Sequence, residues 1–208
     1  MRTLAIETAT EACSIALFEG GRLLAHDHLE LGRGHAERLI PMIADLPDKG
    51  RADRILVSLG PGSFTGVRIG IATARALGFA WGAEVIGYPT LALVAAMAQA
   101  DGAGSLTVCM TGGHGEWFVA DFAPGPAPQG EMASLAPQAA LARGAEAHVA
   151  GSKAQELAEL LDSRRTVHDL LPDARHVVRL PATVLTEDLS PIYGRGPDAT
   201  PQKARKVS

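Results

Sequence analysis

ILVSLGPGSFTGVRIGIATARALGFAW, residues 55–81, predicts a strand, a tight turn and a long helix in direct succession. Residues 55–59 form a short apolar run, Gly60-Pro61-Gly62-Ser63 breaks it, and helical periodicity begins at about Phe64. A junction of this kind points backbone N–H groups and a helix N-terminus outward, an arrangement that suits a phosphate or another anion.

The turn has two interpretations that the sequence leaves open. It lacks the Gly-Lys-Ser/Thr ending of a phosphate-binding P-loop and the dinucleotide fingerprint, so it fits a tight turn that needs glycine for steric reasons. It also fits a loop that faces a nucleotide or a phosphate. The residues of this second interpretation are Gly60, Pro61, Gly62, Ser63, Thr65, Gly66 and Arg68.

Small residues recur every four positions along the helix and form one smooth ridge, at Gly66, Gly70, Ala74 and Gly78. An interior glycine costs about 0.5–1 kcal/mol relative to alanine, so close packing must offset this cost. The helix is apolar on its other faces too, and a four-residue ridge lets a neighbouring helix approach closely. The ridge therefore predicts packing either in the chain's own core or against a second protein.

The flanking sequence predicts a two-lobed α/β fold with mixed sheets flanked by helices. Strands are predicted at 3–8, 13–18, 23–30, 55–59 and 84–88, with helices from 35, from 64 and at 91–100. The first three strands form an antiparallel meander. The order β-β-β-α-β-α-β-α is that of the repeating lobe of the actin, Hsp70 and sugar-kinase (ASKHA) superfamily.

The remaining sequence predicts an abbreviated second lobe. Strands are expected at 106–110, 116–122, 131–135 and 148–150, with helices at 137–143 and at 152–161, the latter capped by Ser152. Periodicity fades after Thr166. The predicted division is a first lobe at 1–100, a second lobe at 101–199 and a disordered tail at 200–208.

Composition indicates a packed cytoplasmic protein. Of the 208 residues, 47% are hydrophobic and 20% are charged, which predicts a folded core. The net charge of −4 argues against extensive electrostatic binding to nucleic acid. Two cysteines, Cys13 and Cys109, do not make a disulfide framework. No secretory signal and no apolar run of membrane-spanning length is evident, so no membrane association is expected.

The titratable residues do not predict a catalytic centre. His26 and His28 lie two apart on a predicted strand and share a face, but no third ligand is near, so a shared metal is disfavoured. Glu7 is a lone carboxylate, without the acidic cluster with which a kinase holds magnesium. No serine elbow or Cys/His pair suggests a nucleophile.

Two segments carry a resemblance to a known family. LAIETATEACSIAL, residues 4–17, and GPGSFTGVRIGIATARALG, residues 60–78, closely resemble the bacterial TsaB (YeaZ) family. A looser similarity runs from Thr3 to about Ala199 and includes the segment from Pro191. The resemblance implies a non-catalytic partner of the catalytic paralogue TsaD. With TsaE, that pair makes N6-threonylcarbamoyladenosine at adenosine 37 of tRNAs that read ANN codons.

The resemblance also implies where the partner docks. The helices at 35–43 and 64–81 are expected to form a bundle with the same helix pair of TsaD, or of a second copy when TsaD is absent. The expected contact residues are Leu39, Ile40, Ile43, Val67, Gly70, Ile71, Ala74 and Gly78. It further implies that tRNA is reached through the complex, that this chain requires no cofactor, and that ATP or ADP could sit at a partner interface.

Two departures bear on these implications. The catalytic relatives carry a metal-binding histidine pair on the helix after the fifth strand, whereas residues 90–98 here contain no histidine, carboxylate or cysteine. Where the family usually has Asp-Ala-Arg before a glutamate, residues 111–115 read TGGHG and only Glu116 matches. The rival functions are a nucleotide-dependent enzyme that uses the turn at 60–66 and a metal-dependent peptidase related by fold.

Overall fold

A computed structural model describes residues 1–161 and 164–194 and contains two five-stranded mixed sheets. The first sheet has the order β3-β2-β1-β4-β5, with β1–β3 antiparallel and β4 and β5 parallel to β1. Its elements confirm the predicted meander and the predicted strand-turn-helix. They are β1 Arg2–Glu7, β2 Ala12–Glu19, β3 Arg22–Glu30, α1 His35–Asp45, β4 Arg54–Ser58, α2 Phe64–Trp81, β5 Glu84–Tyr88 and α3 Thr90–Ala100.

The second sheet repeats the connectivity of the first. Its order is β10-β9-β6-β7-β8, so β6 occupies the central place that β1 has in the first sheet. The elements are β6 Leu106–Thr111, β7 Trp117–Ala123, β8 Ala127–Leu135, α4 Pro137–Arg143, β9 His148–Ala150, α5 Ala154–Leu160 and β10 Thr166–His168. Both helices have seven residues, shorter than the 11, 18 and 11 of α1, α2 and α3, so this lobe is the abbreviated one.

Three details of the second lobe differ from the sequence prediction. Strand β10 was not predicted, because its three residues carry no readable periodicity. Strand β8 begins at Ala127, four residues before the predicted start at residue 131. Ser152 does not cap α5, whose N-cap is Lys153. The Ser152 hydroxyl instead accepts a hydrogen bond from the Thr111 backbone N–H at 3.1 Å, which ties the turn before α5 to the end of β6.

Helix α3 lies between the two sheets and forms the centre of the larger core. Nine consecutive residues, 90–98, are buried, and no residue of α3 is charged. A helix that is apolar all around has no face suited to water, so it is stable only when enclosed. Ala5 and Ala16 of the first sheet and Leu106 and Phe118 of the second sheet belong to the same apolar cluster as α3.

Helices α1 and α2 cover the opposite face of the first sheet. Leu39, Ile43, Val67 and Ile71 pack there with apolar side chains of β1, β2 and β4 in a second cluster. Because both helices occupy one face, their outward sides are exposed next to each other. In the residues that the structure describes, no helix is both long and apolar enough to cross a membrane.

The chain returns to the first lobe after β10. Two short 3-10 helices, Ala174–Arg179 and Ala182–Val184, follow that strand. Ala174, Val177 and Leu180 join the core around α3. Farther on, Gly87 and Thr186 exchange two backbone hydrogen bonds, and the Ile192 N–H donates to the Leu59 carbonyl at 2.8 Å.

The first sheet ends at residue 88 and the second begins at residue 106, while the division into lobes at residue 100 stays a prediction. The returning segment is not part of that prediction. Residues 173–192 were assigned to the second lobe, and they pack largely on the first. Residues 195–199 of the family-like C-terminal segment and the tail predicted at 200–208 lie outside the described residues.

Candidate functional site

The turn before α2 is held against the end of β1. The Ser63 N–H donates to the Ala9 carbonyl at 2.6 Å, and the Ser63 hydroxyl caps α2 by accepting from the Gly66 N–H at 3.2 Å. A Cβ on Gly62 would lie 1.9 Å from the Ala9 carbonyl oxygen, so only glycine fits this approach. The steric interpretation of the turn is therefore correct for Gly62.

The glycine ridge of α2 faces the chain's own sheet. A Cβ on Gly66 would lie 2.1 Å from the Thr8 carbonyl oxygen, and one on Gly70 would lie 2.4 Å from the Thr8 hydroxyl oxygen. A Cβ on Gly78 would lie 2.4 Å from a methyl group of Val85. Of the two alternatives left open by the sequence, packing within the chain's own core is the one that the structure contains.

Most residues expected at a partner interface take part in this packing. Seven of the eight are buried in this chain, and only Ile40 is exposed, at 50%. Buried side chains cannot contact a partner unless the helices first leave the sheet. The seven buried residues are Leu39, Ile43, Val67, Gly70, Ile71, Ala74 and Gly78. The partner interface and its contact residues stay a prediction, and in the isolated chain these seven residues are enclosed by their own fold.

The outward sides of α1 and α2 carry a set of small and apolar side chains beside charged ones. The exposed charged residues are Glu37, Arg38 and Asp45 on α1 and Arg68 and Arg75 on α2. Phe79 is 93% exposed, which is far more than a large aromatic ring normally shows in a folded chain. We call this surface the outer helix face. Its members are Ala36, Ile40 and Ala44 on α1 and Ala72, Ala76, Phe79 and Ala80 on α2. The only charged residues on α2 are Arg68 and Arg75.

A second candidate site is a cleft between the lobes with a volume of about 730 Å³. Residues 9–11 and the start of α2 line one side, residues 111–114 and Phe118 line the other, and residues 192–194 complete it. At its edge the Arg68 guanidinium lies 3.4 Å over the Phe64 ring and donates to the Tyr193 hydroxyl at 2.8 Å. The cleft thus offers an apolar wall with one ordered cation.

Only part of the predicted phosphate-facing loop reaches this cleft. Gly62, Ser63 and Arg68 line it. Gly60, Pro61, Thr65 and Gly66 are not among its lining residues. Gly60 lies at a φ of 89° beside the Ile192 carbonyl, and Gly66 lies against Thr8, so backbone packing accounts for both.

Glu7 is fully buried beneath the turn and does not line the cleft. Burial raises its pKa to about 7, although it accepts hydrogen bonds from the Ala9 N–H at 2.7 Å and the Tyr88 hydroxyl at 3.4 Å. Ser58 and Thr90, whose hydroxyls are 2.5 Å apart, complete this polar cluster. Glu7 accepts from Ala9, and the Ala9 carbonyl accepts from the Ser63 N–H of the turn. Because Glu7 is fully buried, the geometry makes it part of the framework that holds the turn.

The histidines that meet in the structure are not those adjacent in sequence. His28 faces Asp173 at 3.6 Å, while His26 is exposed on β3. His148 and His168, twenty residues apart, have ring nitrogens at 3.1 Å. Sequence could not reveal this pair, since it depends on the register of β9 and β10. Within residues 1–161 and 164–194, no three His, Cys, Asp or Glu side chains form a group that could ligate a metal.

The chain is similar in sequence to proteins of tRNA modification. The family model described as "TsaD: tRNA N6-adenosine threonylcarbamoyltransferase" matches residues 29–163. The chain is 42% identical over 130 residues to the tRNA threonylcarbamoyladenosine biosynthesis protein TsaB of Escherichia coli K12, covering 59% of this chain and 55% of that protein. The match thus spans about half the length of that curated relative.

Solved structures extend the likeness over nearly the whole chain. YeaZ from Pseudomonas aeruginosa is 31% identical with a TM-score of 0.77, and the match covers 92% of this chain and 99% of that one. Ethanolamine utilization protein EutJ from Carboxydothermus hydrogenoformans shares the fold alone. It is 12% identical with a TM-score of 0.52, and the match covers 87% of this chain and 90% of that one. The predicted ASKHA-type fold, with two mixed sheets flanked by helices, is confirmed.

Proposed function

The chain belongs to the TsaB (YeaZ) family, and on that premise we propose that it is a non-catalytic docking subunit in the synthesis of threonylcarbamoyladenosine on tRNA. Its proposed catalytic partner is TsaD, with TsaE as the third component. In this proposal the tRNA is reached through the complex. The match of residues 29–163 to the family model of the transferase supports common descent with that enzyme, and pairing between the two paralogues is part of the proposal.

The observation that carries the proposal is the outer helix face. An aromatic side chain with 93% exposure, set among alanines on a pair of adjacent helices, is a surface to which another helix pair can pack closely. Small residues let the backbones approach, and Phe79 supplies a side chain large enough to anchor the contact. When TsaD is absent, we expect the same face to pair two copies of this chain.

The test is association with TsaD from the same organism, measured by light scattering after size exclusion and by titration calorimetry. We expect Phe79→Glu to weaken binding about 100-fold, because truncating or charging a central aromatic anchor costs about 2–4 kcal/mol. Leu141→Glu is the matched control, since Leu141 is an exposed apolar residue on α4, away from the outer helix face.

Circular dichroism of both variants should match that of the wild type, because neither substituted side chain is buried. Binding of Phe79→Glu with wild-type affinity would show that the outer helix face is not the contact. An equal loss in Leu141→Glu would show that any added surface charge has the same effect. Either result contradicts the proposal.

A second candidate function is nucleotide binding in the cleft between the lobes, favoured by the presence of Gly62, Ser63 and Arg68 in its lining. Titration of the chain with ATP and magnesium tests it, with Arg68→Ala and Arg75→Ala as a matched pair. Arg75 lies on the same helix and does not line the cleft. Micromolar binding that is lost only in Arg68→Ala supports this function, and no binding, or equal binding by both variants, rejects it.

A further inference from the structure

The His148–His168 pair stands outside both candidate sites. Strands β9 and β10 are parallel, with Thr166 opposite His148 and His168 opposite Ala150. Side chains two residues apart on a strand share a face, so the two histidines lie diagonally on one side of the sheet. Their rings are stacked with centroids 5.4 Å apart, and both are partly buried.

The spacing of the ring nitrogens matches that of two ligands on one metal ion. His148 Nδ1 and His168 Nε2 are 3.1 Å apart. Zinc-to-nitrogen bonds of about 2.0–2.1 Å place two neighbouring ligand nitrogens about 2.9 Å apart at a right angle and about 3.3 Å apart at a tetrahedral angle. We propose that His148 and His168 form a binding site for a divalent transition-metal ion such as Zn²⁺ or Cu²⁺.

The surroundings of His168 suit this role. Burial and the neighbouring His148 lower the pKa of His168, while Asp101 opposes the shift, so the neutral form of the His168 imidazole is favoured. A neutral imidazole offers a lone pair to a metal. For both facing nitrogens to offer lone pairs, the ring that donates in the nitrogen-to-nitrogen contact must carry its proton on its other ring nitrogen.

Two protein ligands define the character of the site. Since no group of three ligating side chains exists among the described residues, solvent completes the coordination shell. The site therefore binds more weakly than a closed structural zinc centre with four protein ligands. Its effect is local, because β10 is an edge strand and, among the described strands, pairs with β9 alone. The ion would therefore cross-link the edge of the second sheet to its neighbour.

The experiment is thermal denaturation and titration calorimetry of the untagged full chain with ZnCl₂, reversed by EDTA. We expect zinc to raise the melting temperature of the wild type and of His26→Ala, the matched control, whose imidazole is exposed on β3. His148→Ala and His168→Ala should each lose at least about tenfold in zinc affinity. CuSO₄ should bind more tightly than ZnCl₂, and MgCl₂ should give no shift.

Equal zinc stabilisation of the wild type and the His148→Ala/His168→Ala double variant would overturn the proposal. If a variant does not fold, NMR of the wild type decides the question. Sub-stoichiometric zinc should move the ring-proton signals of His148 and His168 first, and a response elsewhere with these two unmoved would also overturn it. The zinc affinity should fall as the pH is lowered through the range where imidazoles protonate.

Discussion

Adding one methyl group along the glycine ridge of α2 gives a graded test of how this helix packs. The variants are Gly66→Ala, Gly70→Ala and Gly78→Ala. Each gains about 0.5–1 kcal/mol in helix propensity, because alanine is the better helix former. On propensity alone, all three should be more stable than the wild type. The difference between them arises from what the new Cβ meets.

At Gly66 the new Cβ would lie 2.1 Å from the Thr8 carbonyl oxygen, whereas ordinary contact is 3.4–4 Å. The Thr8 backbone cannot retreat easily, since the Thr8 hydroxyl donates to the Gly66 carbonyl at 2.8 Å and holds the two segments together. Overpacking costs about 1–3 kcal/mol, and loss of the hydrogen bond costs about 0.5–1.5 kcal/mol. After the propensity gain, these values leave a net destabilisation of about 0.5–4 kcal/mol, and we expect about 2 kcal/mol.

At Gly78 the obstacle is a methyl group of Val85, which is partly buried and can rotate. A rotamer change costs about 0.5–1.5 kcal/mol, so the net effect should lie within about 1 kcal/mol of zero. Gly70→Ala should fall between the two, because its obstacle is the hydrogen-bonded Thr8 hydroxyl. Gly66→Ala and Gly78→Ala should therefore differ by about 2 kcal/mol.

Urea denaturation measures the free energy of unfolding for each variant, and Ala72→Gly on the exposed side of α2 calibrates the propensity difference in the same helix. A Gly66→Ala chain as stable as the wild type would refute the reasoning. So would a Gly78→Ala chain that is destabilised as much as Gly66→Ala.

Two further predictions concern buried carboxylates. The pKa of Glu7 in the folded chain, about 7, lies above its ordinary 4.5. Protonated Glu7 therefore contributes about 3 kcal/mol to the free energy of unfolding below pH 4.5, and this contribution is lost as the pH rises through 7. Glu7→Gln should flatten the decline of the unfolding free energy between pH 5 and pH 8, and a decline as steep as that of the wild type would contradict this. Burial alone would raise the pKa of Asp173, but hydrogen bonds from Arg175 and the charges of Arg175 and His28 hold that pKa below its ordinary 3.8. The ionised Asp173 therefore stabilises the fold above pH 3.8, and this stabilisation is lost on acidification. Asp173→Asn should cost about 2 kcal/mol in urea denaturation at pH 7, and no loss there would show that these contacts do not stabilise the fold.

The first lobe could be predicted from sequence because its signals are local. A five-residue apolar strand, a Gly-Pro-Gly turn and an 18-residue periodic helix each indicate their own structure. The order β-β-β-α-β-α-β-α of the predicted elements then indicated the fold. The orientation of α2 could not be predicted in the same way, since both of its sides are rich in small and apolar residues. A four-residue glycine ridge fits a sheet of the same chain as well as a partner helix, and the choice depends on long-range contacts.

The features that sequence missed depend on tertiary placement. Strand β10 has three residues, and its existence follows from pairing with β9. The cleft between the lobes and the His148–His168 pair bring together segments whose distance in sequence carries no periodic signal. Asp173 acquires its role only because the chain returns to the first lobe, where Ser14 and His28 meet it.

That return has a consequence for how the chain acquires its structure during synthesis. Residues 174, 177 and 180 complete a core whose other side includes Ala5 and Ala16. A ribosome must therefore synthesise the chain at least as far as residue 180 before the first strands can be fully enclosed. Until then α3 has both sheets beside it but lacks its last apolar neighbours. The amino-terminal half is thus expected to wait for the carboxy-terminal half, and the two lobes to reach their final stability in one cooperative step.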